Sequence, residues 1–217
     1  MRVLSVNVST PRPVEWQGRR IMTGIFKQPV EGPVRLRGWN LDGDAQADLS
    51  VHGGPDKAVY AYPSEHYPFW RTELGLDDLP WGSFGENLTL EGWWEDQVAI
   101  GDRFRVGTAE VVVTQPRTPC FKLGLRFGRE DVIEKFLESG RSGFYLRIAV
   151  EGVLEAGAPC ERIAEDPHGV TVAEVNRLYL DRHSEPDVEL LQRAVAIEAL
   201  APIWKEHFLR RLAAVAR

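Results

Sequence analysis

The sequence predicts a mainly β fold, α+β overall, in which a barrel of short strands carries a few peripheral helices and ends in a three-helix module. Three observations predict it. From residue 1 to about 165, short apolar runs alternate with Gly, Pro and Asp, the punctuation of strands and turns. Only two helical patterns interrupt them, and many strands with few helices suit a closed or nearly closed barrel. After Asp166-Pro167-His168-Gly169 the punctuation stops and amphipathic helix signals begin. The expected division is therefore a barrel domain over 1–166 and a helical module over 167–217.

The first strand, 2–8, alternates apolar and polar residues in Arg2-Val3-Leu4-Ser5-Val6-Asn7-Val8. Further strands are expected at 21–27, 57–62, 97–100, 103–106, 109–115, 144–150 and 160–164. Gly101-Asp102, between Val98/Ile100 and Phe104/Val106, reads as a tight turn joining antiparallel strands. Tyr67, Trp70 and Leu74 recur at helical spacing over 64–74. Val132, Ile133, Phe136 and Leu137 share one face of a helix over 130–139. In the module, Thr171 with Glu174 forms a capping box and Ser184 with Asp187 a weaker one. The helices they open place Val172, Val175 and Tyr179 on one face, then Leu191 and Val195 on another. A third carries Ile203, Trp204, Phe208, Leu212 and Val215. Helices this short must pack on each other or on a partner.

Composition narrows the function. The 217 residues are 43% hydrophobic with seven tryptophans, as in a folded globular chain. A net charge of −6 argues against general nucleic-acid binding, which needs a basic footprint, yet leaves room for a local basic pocket for a small anion. The two cysteines, Cys120 and Cys160, form no C-x-x-C pair, which excludes a disulfide framework and a four-cysteine zinc site. The N-terminus reads as a strand, not a signal peptide, and no apolar run is long enough for a bilayer, so a cytoplasmic chain without membrane contact is expected.

Three segments suit neither strand nor helix interiors. The most informative is Gln115-Pro116-Arg117-Thr118-Pro119-Cys120-Phe121-Lys122-Leu123, directly after the β-like Val111-Val112-Val113. The two prolines end strand pairing, so Cys120 is expected on a constrained segment at a strand's end. Arg117, Lys122 and Arg126 are near enough in sequence to favour a thiolate, the form that acts as nucleophile or metal ligand. A small buried hydrophobe is the alternative. In the second segment, a strand leads into His52-Gly53-Gly54-Pro55 and hands over to another carrying Lys57. This is either an anion-binding turn or a plain hairpin. The third, Trp81-Gly82-Ser83-Phe84-Gly85-Glu86-Asn87-Leu88, opens a strand with Glu86 and Asn87, types poorly favoured there. Tyr145 and Arg147 lie on one face of a later strand, facing either the site or solvent.

Taken in order, these segments resemble the MOSC domain family, named after the C-terminal domain of molybdenum cofactor sulfurases, and within it the stand-alone YiiM-like branch. The resemblance rests on Gly43 to Asp48, His52-Gly53-Gly54-Pro55-Asp56-Lys57-Ala58-Val59 and Phe84-Gly85-Glu86-Asn87-Leu88. Ile100-Gly101-Asp102, Gln115-Pro116-Arg117 with Pro119-Cys120, and Gly140-Arg141-Ser142-Gly143 complete it. It covers the barrel and extends through the helical module.

The resemblance implies a molybdenum cofactor (molybdopterin) with Cys120 as the molybdenum ligand, since soft thiolates suit such a metal. It implies Lys27, Lys57, Arg117 and Arg147 as candidates for the anionic end, and His52, Glu86 and Asn87 for pterin edges or protons. Cys120 and His52 are the expected catalytic pair, with His52 the proton donor because imidazole titrates near neutrality. The implied activity is reduction of N-hydroxylated compounds such as 6-hydroxylaminopurine. No nicotinamide or flavin fingerprint is present, so electrons are expected from a separate flavoprotein reductase. The charged helical C-terminus would dock that donor, mediate a homodimer, or simply brace the barrel. The alternatives are a non-catalytic cofactor carrier and a persulfide carrier using Cys120, although no pyridoxal-phosphate desulfurase domain accompanies the chain. A cysteine hydrolase with His52 as base ranks last, for want of a third triad member. Cys160, beside Glu161, is read as structural.

Overall fold

The computed structural model describes residues 1–181 and 185–215. The fold is mixed α+β. In chain order the N-terminal strands are β1 (Arg2–Val8), β2 (Arg12–Trp16), β3 (Arg19–Thr23), β4 (Gln28–Pro29), β5 (Val34–Arg37) and β6 (Asn40–Leu41). A short helix α1 (Leu49–His52) and a 3-10 turn (Pro55–Lys57) lead to β7 (Val59–Pro63), then α2 (Tyr67–Leu74) and β8 (Leu88–Glu91). Next come β9 (Arg103–Val106), β10 (Ala109–Pro116), α3 (Phe121–Phe127), α4 (Val132–Ser139), β11 (Phe144–Val150), β12 (Gly152–Leu154) and β13 (Cys160–Ala164). Helices α5 (Val172–Leu180), α6 (Val188–Ala196) and α7 (Pro202–Val215) end the chain.

Eight strands form one sheet in the order β13-β9-β10-β11-β7-β8-β1-β4. Every pairing is antiparallel except β7 with β8. A parallel pair needs a crossover, and α2 supplies it. The expected barrel is not closed. The second edge of β1 is divided: its end pairs with β4 through Asn7 and Pro29, while its start meets the entrance of β13 in one isolated bridge, Arg2 to Pro159. The sheet curls until its ends touch, but β1 has too little free edge for a further ladder.

Other expectations change with register. The 97–100 strand is absent among the described residues: Ile100 N–H donates to Val170 O and Val172 N–H to Val98 O, both at 2.9 Å, so this segment grips the start of α5 rather than β9. The 21–27 strand is the shorter β3, in a hairpin with β2 whose turn residues Gln17 and Gly18 have φ of 49° and 72°. Both are positive, as a two-residue primed turn requires. The strand expected to carry Lys57 begins only at Val59, after the 3-10 turn. Helices α1 and α3 were not expected, whereas α2, α4 and the three C-terminal helices fall where periodicity placed them.

Thr171 caps α5 in a reciprocal capping box with Glu174. Ser184 lies outside the described residues. Asp187 caps α6 by accepting from Leu190 N–H at 3.0 Å. The apolar faces of these helices join the sheet in one core: Val175, Leu191, Trp204 and Phe208 pack with Val111, Val113 and Phe104. A second cluster of Tyr62, Trp70, Phe84 and Phe136 holds α2 and α4 on the sheet. Among the described residues, no helix is long and apolar enough to cross a membrane.

Candidate functional site

Two chain reversals bring the site together. Pro116 ends β10 and, with Pro119, offers no amide to a neighbouring strand, so the chain leaves the sheet and enters α3. Cys120 occupies the cap position of α3 with extended backbone, half-buried, its carbonyl accepting from Leu123 N–H at 2.9 Å. Opposite it, Gly54 takes φ 96°, a value side chains resist, and turns the chain between α1 and the 3-10 turn. That reversal sets His52 and Lys57 facing Cys120. His52 Nε2 stands 4.0 Å from Cys120 Sγ.

The result is a cleft with two lobes sharing His52, Lys57, Thr118, Cys120 and Tyr145. The first lobe, ≈ 100 Å³, is closed by Thr23–Ile25, Ala45–Ala47 and Gly85, and carries Lys27, Lys57, Arg117 and Lys122. Among the described residues, no carboxylate lines it. In a chain of net charge −6 this is a concentrated basic site. The second lobe, ≈ 270 Å³, runs from Cys120 under α5 and α7, between Gln115, Tyr179, Ile203 and Trp204.

Arg117 is the most telling group. It is buried, with its guanidinium 4.9 Å from the centre of the Tyr60 ring and 5.1 Å from that of Phe136. Its Nη1 has no hydrogen-bond partner. Burial opposes its charge, while Tyr60, Tyr145 and Cys120 favour it strongly enough to raise its pKa overall. A buried guanidinium with a donor unmatched calls for an anion. His52 is governed by the same charges. Burial, then Lys122, Lys57 and Arg117, lower it to about 4, with Asp48 opposing. Its ring is neutral near pH 7, so as it stands it is not the imidazolium donor expected from an ordinary histidine.

The remaining candidates divide sharply. Lys27 lines the basic lobe but is buried against Asp44, and burial lowers its pKa. Asn87 also lines the lobe, but its amide is engaged: Nδ2 donates to Asp44 Oδ2 at 2.9 Å and Oδ1 accepts from Tyr60 N–H at 3.0 Å. Lys57 points into both lobes, its pKa lowered by burial. Glu86 does not reach the cleft. Fully buried, it accepts from Tyr67 Oη, Gly82 N (2.8 Å), Phe84 N (3.0 Å) and Thr89 Oγ1 (2.9 Å). Arg147 does not reach it either: its Nε and Nη2 donate to Asp56 Oδ1 on the 3-10 turn, bracing the segment that carries Lys57. Gly53 and Gly54 shape the turn without lining either lobe. Cys160 is buried in β13, and burial pushes its thiol up to about 12.

Sequence reasoning assigned no site role to Gln115, Tyr179, Ile203 or Trp204. Gln115 stood inside the cysteine run, but the others lie more than fifty residues on and read as ordinary helix-face residues. Nothing in the sequence marks them; only the structure shows Ile203, grouped by pattern with the apolar residues of α7, standing at 65% exposure.

A MOSC domain model matches residues 48–161, more than half the chain, and a YiiM-like three-α-helix domain model matches residues 170–214. The chain belongs to the MOSC domain family. As a MOSC protein it is 42% identical over 209 residues to YflK of Bacillus subtilis, covering 96% of this chain and 93% of YflK. The crystal structure of YiiM from Geobacillus stearothermophilus superposes with a TM-score of 0.80 at 34% identity, over 97% of this chain and 98% of that one. A protein of Gibberella moniliformis named as a reductase is 36% identical over 140 residues, covering 62% of this chain and 24% of that protein. The MOSC match spans His52, Lys57, Arg117 and Cys120; the helical match spans Tyr179, Ile203 and Trp204.

Proposed function

We propose that the cleft holds a molybdenum cofactor with Cys120 as the protein's ligand to the metal, and that the chain reduces N-hydroxylated compounds with electrons from a separate flavoprotein reductase. The observation that carries this reading is the buried Arg117, with Nη1 unmatched, in a carboxylate-free lobe beside the cleft's single thiol. The donor set fits. Among the described residues no cluster of three His, Cys, Asp or Glu could hold a metal ion, and the lone thiol of Cys120 suits a soft metal that arrives already chelated. The basic lobe suits the anionic end of such a group, gripped by Arg117, Lys57 and Lys122.

When bound, the cofactor supplies the two-electron chemistry that takes N–OH to N–H; two protons are consumed and water is released. The chain orients the reactants and handles the protons. Burial, then Lys122, Lys57 and Arg117, hold down the pKa of His52, so a bound anion countering the three cations relieves their share and moves it upward. His52 Nε2, facing Cys120, is then placed to hand on a proton. The same low pKa weakens the hydrolase alternative, because a ring lowered to about 4 is a poor base for a thiol.

The test is the metal and released pterin content of protein made in a cofactor-competent host, beside Cys120→Ala. Near-stoichiometric molybdenum in the wild type, its loss in the variant, and reduction of 6-hydroxylaminopurine with a flavoprotein donor are expected. Metal without turnover would leave a cofactor carrier. No metal, with a sulfur adduct on Cys120 by mass spectrometry, would leave a persulfide carrier.

A further inference from the structure

We propose that the second lobe is a substrate subsite for a flat, uncharged heteroaromatic ring, with Gln115, Trp204 and Ile203 as its specificity-determining residues. The inference rests on the reductase reading above and extends it from a reaction to a way of choosing substrates. Three observations converge. The lobe starts at Cys120, so a molecule lying in it presents one edge to the reacting centre. Away from the shared residues its walls are uncharged, formed by Pro116, Pro119, Tyr179, Ile203 and Trp204, with the Tyr179 and Trp204 ring centres 4.6 Å apart. Apolar, partly aromatic walls favour a planar ring over an aliphatic chain.

The third observation sets polarity. Gln115 lines the lobe at 1% exposure, and its Oε1 is buried with no hydrogen-bond partner. Buried side-chain acceptors are rarely left unmatched unless something else supplies the donor. A side-chain amide pairs naturally with the N–H and ring-nitrogen edge of an aminopurine-like base. An N-hydroxylated base with its ring against Trp204 and its nitrogen edge at Gln115 turns the N–OH toward Cys120. Gln115 is held in the β10–β11 ladder opposite Tyr145, while α7 sets Ile203 and Trp204 on the facing wall and is tied to the strand where Thr114 O accepts from Ala201 N–H at 3.3 Å. The C-terminal helices thereby act on substrate choice, while the sheet side of the cleft holds the charged groups.

Adenine, the amine product of 6-hydroxylaminopurine, is the probe, titrated by calorimetry into the full chain. Wild type should bind it, and Ile203→Asp and Gln115→Leu should each weaken binding at least tenfold. Phe121→Asp, an exposed residue outside the second lobe, should leave it unchanged. Ile203 is exposed, so its variant reports even if Gln115→Leu fails to fold. Absent wild-type binding, or wild-type affinity retained in both lobe variants, overturns the subsite. With cofactor-loaded protein, the two variants should raise KM for 6-hydroxylaminopurine tenfold and leave ring-free hydroxylamine unaffected. If adenine binds as expected but no N-hydroxylated compound is reduced, the subsite stands and the reductase reading falls. If reduction proceeds with identical KM in wild type and variants, the subsite falls and the reductase reading stands.

Discussion

The 82–89 segment and the 115–120 segment invite comparison, because each sets polar residues at a strand end beside glycine or proline. They use that polarity in opposite ways. In the first, Glu86 accepts four hydrogen bonds and Asn87 joins Asp44 to Tyr60, so every strong polar group is matched within the chain. In the second, Gln115 Oε1 and Arg117 Nη1 are buried and unmatched. The first segment is a knot that holds the fold. The second leaves two buried polar atoms open, as the proposed ligands require, and unmatched burial distinguishes the two where residue type does not.

The largest effect expected from this contrast is on the knot. Glu86→Ala strands two backbone amides and two hydroxyls in the core, at about 1–3 kcal/mol for each group that stays unpaired. Chemical denaturation should show a loss of at least about 3 kcal/mol. Next comes the open segment. Arg117→Met should change stability by no more than about 1 kcal/mol, since it removes a buried charge with no carboxylate partner. An anion such as pyrophosphate at a hundredfold its wild-type Kd should stabilise the wild type by about 2.7 kcal/mol and the variant, left with Lys57 and Lys122, by clearly less. A melting temperature unmoved by anion in the wild type would erase the distinction between the segments.

A pH effect sharpens it further. His52 has its folded pKa lowered from 6.5 to about 4, so between those values the unfolded chain binds more protons than the folded one. Stability should therefore rise as pH increases from about 4 to about 6.5. His52→Gln should flatten that rise, and bound anion, by raising the folded pKa toward the unfolded one, should narrow it from its acid end; a slope identical in wild type and variant would show that His52 is not its source. The smallest effect serves as a control outside both segments: Thr171→Ala removes the cap of α5 and should cost about 1 kcal/mol with the cleft unchanged.

Elements with strong local signals were legible in the sequence. Strands β1, β9, β11 and β13 and helices α2, α4 and α5 follow from alternation, helical spacing and a capping box, all local properties. What failed was decided by pairing at a distance. The 97–100 segment has strand-like alternation, yet its amides serve Val170 and the start of α5. Barrel closure failed because β4 had already taken the end of β1's free edge. In the site, Cys120, His52, Lys57 and Arg117 stood in segments that were odd for their elements, and oddness is visible in a sequence. Glu86 and Arg147 were equally odd, but partners from remote parts of the chain absorb them. Tyr179 and Trp204 were not odd at all; only the packing of α5 and α7 over β10 makes them walls.

That packing also bears on how the protein loses function when heated. Because the C-terminal helices share one apolar core with the sheet, they have no separate interior to retain once the sheet opens, nor can the sheet keep its interior dry without them. Calorimetry should record one endotherm with equal calorimetric and van't Hoff enthalpies. Cleft and scaffold should melt together, leaving no intermediate that keeps the fold while shedding the site.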